Sequence, residues 1–99
     1  MGSEVRIAPG ATRAIEKLSA QVQDAVLDRL AELSTDRRPD GSRKLRGLPR
    51  GYEVYRVAVQ GTYRIIYQAK DEEAWILVLK VADRKDVYKR VDDLRRLLR

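Results

Sequence analysis

The chain contains neither histidine nor cysteine. That removes the commonest general acid–base group, the commonest metal ligand and any thiolate or disulfide. What remains for chemistry is positive charge and phenol: 21 lysines and arginines against 15 aspartates and glutamates, with five tyrosines. The excess charge is uneven: residues 1–35 carry net −1, residues 36–70 net +6 and residues 71–99 net +1. In the middle third Arg37, Arg38, Arg43, Lys44, Arg46 and Arg50 have only Asp40 among them, so they repel one another without a counter-charge. Guanidinium and ammonium groups at this density suit phosphates, each contact being salt-sensitive. Nucleic acid fits better than a membrane surface, because the basic stretch is not an amphipathic helix. The same composition also suits a merely solubilising surface.

These groups need a scaffold, and the hydrophobic pattern supplies one. Residues 1–99 are expected to form a single domain, with a core thin but sufficient without staples. Glu4 to Ala8 alternates polar and apolar, as a short strand does, and Pro9-Gly10 ends it. A short helix with Ala14, Ile15 and Leu18 on one face follows. Ser19 then suits the N-cap of a longer helix, where Val22, Ala25, Val26, Leu30 and Leu33 make one buried stripe. Thr35 to Gly51 reads as a polar connector. Three strands are expected next, at 52–59, 63–69 and 74–81. Gln60-Gly61-Thr62 makes the first hairpin loop and Lys70 to Glu73 the second turn. The run Trp75 to Leu79 is apolar on both faces, as a central strand would be. Asp83 suits the N-cap of a last helix whose stripe is Val87, Val91, Leu94 and Leu98, with Asp86 in a capping-box position. The class is α+β, in the order β-α-α-β-β-β-α. No signal peptide or membrane helix is expected: the first apolar stretch, Val5 to Ala8, is too short, and a soluble cytoplasmic location follows as the default.

The second half resembles the RelE/ParE toxin superfamily. Lys44-Leu45-Arg46-Gly47-Leu48 is similar to that family's entry motif. Tyr55-Arg56-Val57-Ala58-Val59 with Tyr63-Arg64-Ile65-Ile66-Tyr67 is similar to its hairpin. Val78-Leu79-Lys80-Val81 with Asp83 to Tyr88 is similar to its closing element. The resemblance implies a RelE-like fold: an antiparallel sheet with a helical hairpin packed on one face and a C-terminal helix. It also implies a toxin of a type II toxin–antitoxin system, with a RelB-like antitoxin, the ribosome and mRNA as partners. RelE-type members cut mRNA in the ribosomal A site without metal or cofactor, so neither is expected here.

Such a reaction deprotonates a 2′-OH, stabilises a pentavalent phosphorane-like transition state and protonates the 5′-oxygen. By resemblance, Arg64 and Arg56 stabilise charge, Arg84 stabilises or protonates the leaving oxygen with Lys85 competing for that role, and Tyr88 stacks on a base. Arg43, Lys44, Arg46, Arg50, Lys80 and Lys85 are the candidates for RNA binding. The proton acceptor is open. With a three-residue hairpin loop Ala58 lies opposite Arg64 and shares its face with Arg56; with a two-residue loop that face carries Val57, Tyr55 and Glu53. In neither register does a lysine occupy the base position, leaving Lys80, Lys44 or Glu53 as substitutes. Asp83 stands where the family often has histidine.

Three functions remain: a ribosome-dependent mRNA endonuclease, a ParE-type inhibitor that binds DNA gyrase without cutting anything, and a catalytically weakened RNA-binding toxin. The apolar side of the last helix, with Leu97 and Leu98, is a candidate contact for the antitoxin, which either covers Arg64 and Arg84 or displaces that helix.

Overall fold

A computed structural model of the chain describes residues 2–46, 48 and 51–98. Its elements are β1 (Glu4–Ile7), α1 (Pro9–Glu16), α2 (Ala20–Thr35), β2 (Arg43–Lys44), β3 (Val54–Val59), β4 (Tyr63–Gln68), β5 (Trp75–Asp83) and a C-terminal 3-10 helix (Val91–Leu97). The helical hairpin forms where the periodicity places it. Pro9 occupies the first turn of α1, where its missing N–H has no intrahelical partner to lose. Ser19 caps α2, its hydroxyl accepting from the Val22 amide at 3.3 Å.

The sheet runs β1-β5-β4-β3-β2. β5, β4, β3 and β2 are successively antiparallel, and β1 joins the edge of β5 in parallel. β4 therefore takes the middle place, with β5 between it and β1. The register settles the hairpin loop at three residues: Ala58 pairs with Arg64 and Val59 with Tyr63. Gln60 and Gly61 take positive φ of 53° and 73°, the second at no steric cost because glycine lacks a Cβ. Between β4 and β5 the pairing shifts, with Ile66 opposite Lys80 but Tyr67 opposite Val78, so Leu79 is the extra residue of a bulge.

Two apolar layers hold the sheet. On one face Val57, Ile65, Tyr67, Ile76 and Val78 pack against Ile15, Val26, Leu30 and Leu33 of the helices. On the other, Val54, Ile66, Leu77 and Leu79 lie with Val87 and Leu94 of the C-terminal segment. Each fully buried aliphatic side chain contributes about 1.5–3 kcal/mol, and both faces of β5 are buried this way, which accounts for its continuous apolar run.

The C-terminal segment departs from the sequence pattern. β5 continues through Asp83, so Asp83 ends a strand rather than capping a helix. Residues 84–90 form turns, and the last helix begins only at Val91. Two features stop a continuous helix. Arg90 sits in the left-handed region at φ 56°, and the Lys80 ammonium occupies the carbonyls of Asp86 and Lys89. Val87 and Leu94 are nevertheless buried and Leu98 packs beside them, while the side chain of Val91 lies outside the described residues.

β2 was not expected. Its two residues pair with Arg56 and Tyr55, and Leu45 adds a bond to the Val54 carbonyl. Past its end, the outward carbonyl of Ala58 on β3 accepts from Nε of Arg29 on α2 at 3.2 Å.

Candidate nucleic-acid interface

Directly opposed residues of an antiparallel pair share a face, so the register assembles the site. One row runs Arg43, Arg56, Ile66, Lys80 across β2, β3, β4 and β5. The next row runs Ala58, Arg64, Ala82. Both lie on the face covered elsewhere by the C-terminal segment. Arg43, Arg56, Arg64 and Lys80 thus lie on one face, and among the described residues none of the four is in an ion pair. The charge of the three arginines is what a phosphate could neutralise.

Arg64 is half-buried. Its Nη1 donates to the carbonyls of Gly61 at 2.9 Å and Tyr63 at 3.0 Å, which folds the side chain back over the hairpin tip. The rest of the guanidinium fork is left for a ligand. Its neighbours in the row, Ala58 and Ala82, are small. Arg84 is tied to the same tip through its backbone, its N–H donating to the Thr62 carbonyl at 2.8 Å, while its side chain is exposed. Lys85 is also exposed, its amide held by Asp83 Oδ1 at 2.7 Å.

Tyr88 is 41% exposed, and the Arg56 guanidinium carbon lies 5.9 Å from its ring centroid. A cation over an aromatic face is favourable and orients both groups. The pair presents a flat surface beside the basic row, the kind of platform on which an unstacked base can lie.

Lys80 is partly buried, and burial lowers its pKa below the usual lysine range, with the nearby Asp86 opposing. A base needs such a shift. However, its Nζ donates to the carbonyls of Asp86 at 3.2 Å and Lys89 at 2.5 Å, contacts that favour the protonated form. The two other substitutes for the base stand elsewhere. Lys44 pairs with Tyr55 and belongs to the helix-side face. Glu53 is 3.9 Å from Arg38 and accepts from the Asp71 amide at 3.3 Å.

The basic connector divides. Arg43, Lys44 and Arg46 are exposed; Arg50 lies outside the described residues. Arg37 is structural: its Nε donates to Ser3 Oγ at 2.8 Å and its other nitrogens to the carbonyls of Lys70 and Glu73. Arg38 lies 5.0 Å over the Tyr55 ring and donates to Tyr55 Oη at 2.9 Å and Asp71 at 2.6 Å. The bond to Asp71 is the main reason its pKa rises further. Its counter-charges, Asp71 and Glu53, come from outside the connector, where sequence counting does not see them.

Among the described residues no group of three or more acidic side chains could hold a metal ion, and no helix is long and apolar enough to cross a membrane.

Comparison with known proteins accords with this architecture. Residues 5–88 match the family model described as the ParE toxin of type II toxin–antitoxin systems. No curated protein matches. Among solved structures, the chain is similar to the Mycobacterium tuberculosis RelBE2 toxin–antitoxin complex, with 27% identity over 85% of this chain and 100% of that one, TM-score 0.70. It is similar to the archaeal RelE–RelB complex of Pyrococcus horikoshii at 26% identity, over 88% of this chain and 100% of that one, TM-score 0.73. The isolated Escherichia coli RelE toxin shares the fold at 24% identity over 97% and 99% of the two chains, TM-score 0.69. With a family match over most of its length, an α+β fold shared with RelE toxins and a helical hairpin on one face of the sheet, the chain belongs to the RelE/ParE toxin superfamily of type II toxin–antitoxin systems.

Proposed function

We propose that this toxin is a ribosome-dependent mRNA endonuclease that inhibits translation. The observation that carries this reading is the placement of Arg56 and Arg64 on one sheet face, without a carboxylate ion pair among the described residues, beside the exposed ring of Tyr88. In the reaction, the 2′-oxygen attacks the adjacent phosphorus as its proton passes to water, a 2′,3′-cyclic phosphate forms, and the P–O5′ bond breaks as water returns a proton to the 5′-oxygen. The chain's contribution is electrostatic. Arg64 and Arg56 match the charge of the phosphorane-like transition state with donors already oriented before reaction. Arg84 at the hairpin tip stabilises the leaving oxygen, and Tyr88 stacks on a base next to the cut. Arg43 and Arg46 hold flanking phosphates. The ribosome orients the message, converting a loose encounter into a near-unimolecular step.

The partner that restrains it is a RelB-like antitoxin. The relatives from M. tuberculosis and P. horikoshii were solved as toxin–antitoxin complexes, and an acidic segment would complement the same unpaired arginines.

The test is primer extension on a message translated by purified ribosomes, with wild type beside the Arg64→Ala/Arg84→Ala double variant. Cuts that depend on ribosomes and vanish in the variant support the reading; intact message with wild type rejects it. One observation favours a second reading, gyrase binding without catalysis: beside Arg64 the row holds only Ala58 and Ala82, neither able to move a proton. Inhibition of gyrase supercoiling with messages intact would select that reading.

A further inference from the structure

Tyr88 lies in a part of the chain with little regular structure of its own. Residues 84–90 are turns between β5 and the 3-10 helix. Arg84 at their start is tied to the Thr62 carbonyl, but the backbone bonds around Tyr88 are short-range: Asp86 and Val87 donate to the Asp83 carbonyl at 2.9 Å, and Lys89 to the Asp86 carbonyl at 3.0 Å. Val87 is buried in the second apolar layer and anchors one side of the turn. Nothing in that anchor fixes its exposed neighbour, yet Tyr88 has a defined partner in Arg56.

The missing constraint comes from the sheet. Lys80 stands in the same cross-strand row as Arg56, with Ile66 between them. Its ammonium donates to the carbonyls of Asp86 and Lys89. These two acceptors bracket Val87 and Tyr88 in sequence, so one side chain clamps the backbone on both sides of the ring. The bulge at Leu79 sets the pairing of Lys80 with Ile66 and so puts it on this face.

We propose that Lys80 is the positioning residue of the interface: bonded to the carbonyls of Asp86 and Lys89, it holds Tyr88 in place against Arg56. As a role in message cleavage this rests on the endonuclease reading above; as a tether it does not. Donation to two carbonyls occupies most of the ammonium's hydrogen-bonding capacity, so Lys80 acts through Tyr88 rather than by gripping phosphate. Burial lowers its pKa, and the carbonyls supply the stabilisation that keeps it charged.

Hydrogen exchange on the full chain tests the tether without reference to activity. In Lys80→Met the amides of Asp86, Val87 and Lys89 should exchange roughly tenfold faster, the loss expected for charge-assisted bonds, while those of β3 and β4 keep their protection. Lys80→Arg, which can still donate to both carbonyls, should restore it. Unchanged exchange in Lys80→Met overturns the proposal. Should β3 and β4 also lose protection, that variant has unfolded, and the wild type decides. A tethered, sheltered Lys80 gives a slowly exchanging ammonium signal in its ¹H–¹⁵N spectrum, and a rapidly exchanging one overturns the proposal.

Cleavage tests what the tether is for. Lys80→Met should raise KM for the message by about tenfold with less change in the rate at saturation, and should have no further effect in a Tyr88→Ala background. An equal loss in both backgrounds shows Lys80 acting independently of Tyr88 and overturns its positioning role. If the wild type cuts no message, the endonuclease reading fails, and the tether still stands or falls on exchange.

Discussion

Arg64 and Ala58 face each other across the β3–β4 hairpin, so the arginine after the hairpin tyrosine lies on the same side of the sheet as Arg56. This pairing turns two arginines eight residues apart in sequence into diagonal neighbours. It also flanks Arg64 with the small side chains of Ala58 and Ala82, while the Gly61 and Tyr63 carbonyls anchor its guanidinium.

Replacing Arg64 by alanine should therefore remove transition-state stabilisation without harming the fold. Message cleavage should fall by about 10²–10³-fold, the range for losing one oriented donor group. Unfolding free energy should change by no more than about 0.5 kcal/mol, as for surface substitutions. Primer extension reads the first quantity and urea denaturation the second. Arg64→Lys should recover only part of the rate, because an ammonium lacks the planar fork.

Tyr88 separates stacking from hydroxyl chemistry. Tyr88→Phe keeps the ring under Arg56 and should retain most cleavage. Tyr88→Ala should weaken binding of the message by about 1–3 kcal/mol, the usual worth of one base–aromatic stack. If both variants lose activity equally, the hydroxyl matters and the stacking role is wrong. Steady-state kinetics with a translated message would measure the difference.

Arg43 and Lys44 are adjacent in sequence but project to opposite faces. Arg43→Ala should make the dependence of log K on log salt shallower by about 0.7 for single-stranded RNA. Lys44→Ala should leave that slope unchanged. Fluorescence anisotropy with a labelled oligoribonucleotide across a salt series would read both, and equal effects would show that the sheet face does not define the interface.

Tyr67 carries a stability prediction. Its ring is fully buried, stacks 5.9 Å from Tyr55 and donates its hydroxyl proton to the Arg37 carbonyl at 2.5 Å. Tyr67→Phe should cost about 1–3 kcal/mol, because a buried acceptor loses its donor. Burial pushes the phenol up to about 12 from its ordinary 10.0. The unfolded chain then releases this proton before the folded one does, so the stabilisation is complete below pH 10 and is lost as pH rises from 10 towards 12. Denaturation across that window should show a decline that is smaller in Tyr67→Phe.

Much of this architecture is legible in the residues. Ser19 and the stripe from Val22 to Leu33 define α2, and Gln60-Gly61-Thr62 defines the hairpin. The spacing allows both a two- and a three-residue loop there, and only the strand pairing selects the one that places Ala58 opposite Arg64. Other features depend on contacts distant in sequence. Nothing local to Arg37 and Arg38 announces that Ser3, Lys70, Glu73 and Asp71 take their donors. The segment after Asp83 has helical periodicity, but Lys80 binds its carbonyls and Arg90 breaks the turn. The one available sign was Lys80 itself, a lone charge inside an otherwise apolar strand.

Arg29 reaches from α2 to the Ala58 carbonyl, where the short β2 no longer covers β3. An exposed strand edge is a template for unwanted pairing, and proteins blunt it with charge. Here a guanidinium occupies an acceptor that an incoming strand would need, and with its ion-paired Glu32 places charged groups in its path. The arginine thereby guards against edge-to-edge aggregation next to the hairpin that carries Arg56 and Arg64, so that this end of the sheet can stay open to a ligand and closed to another strand.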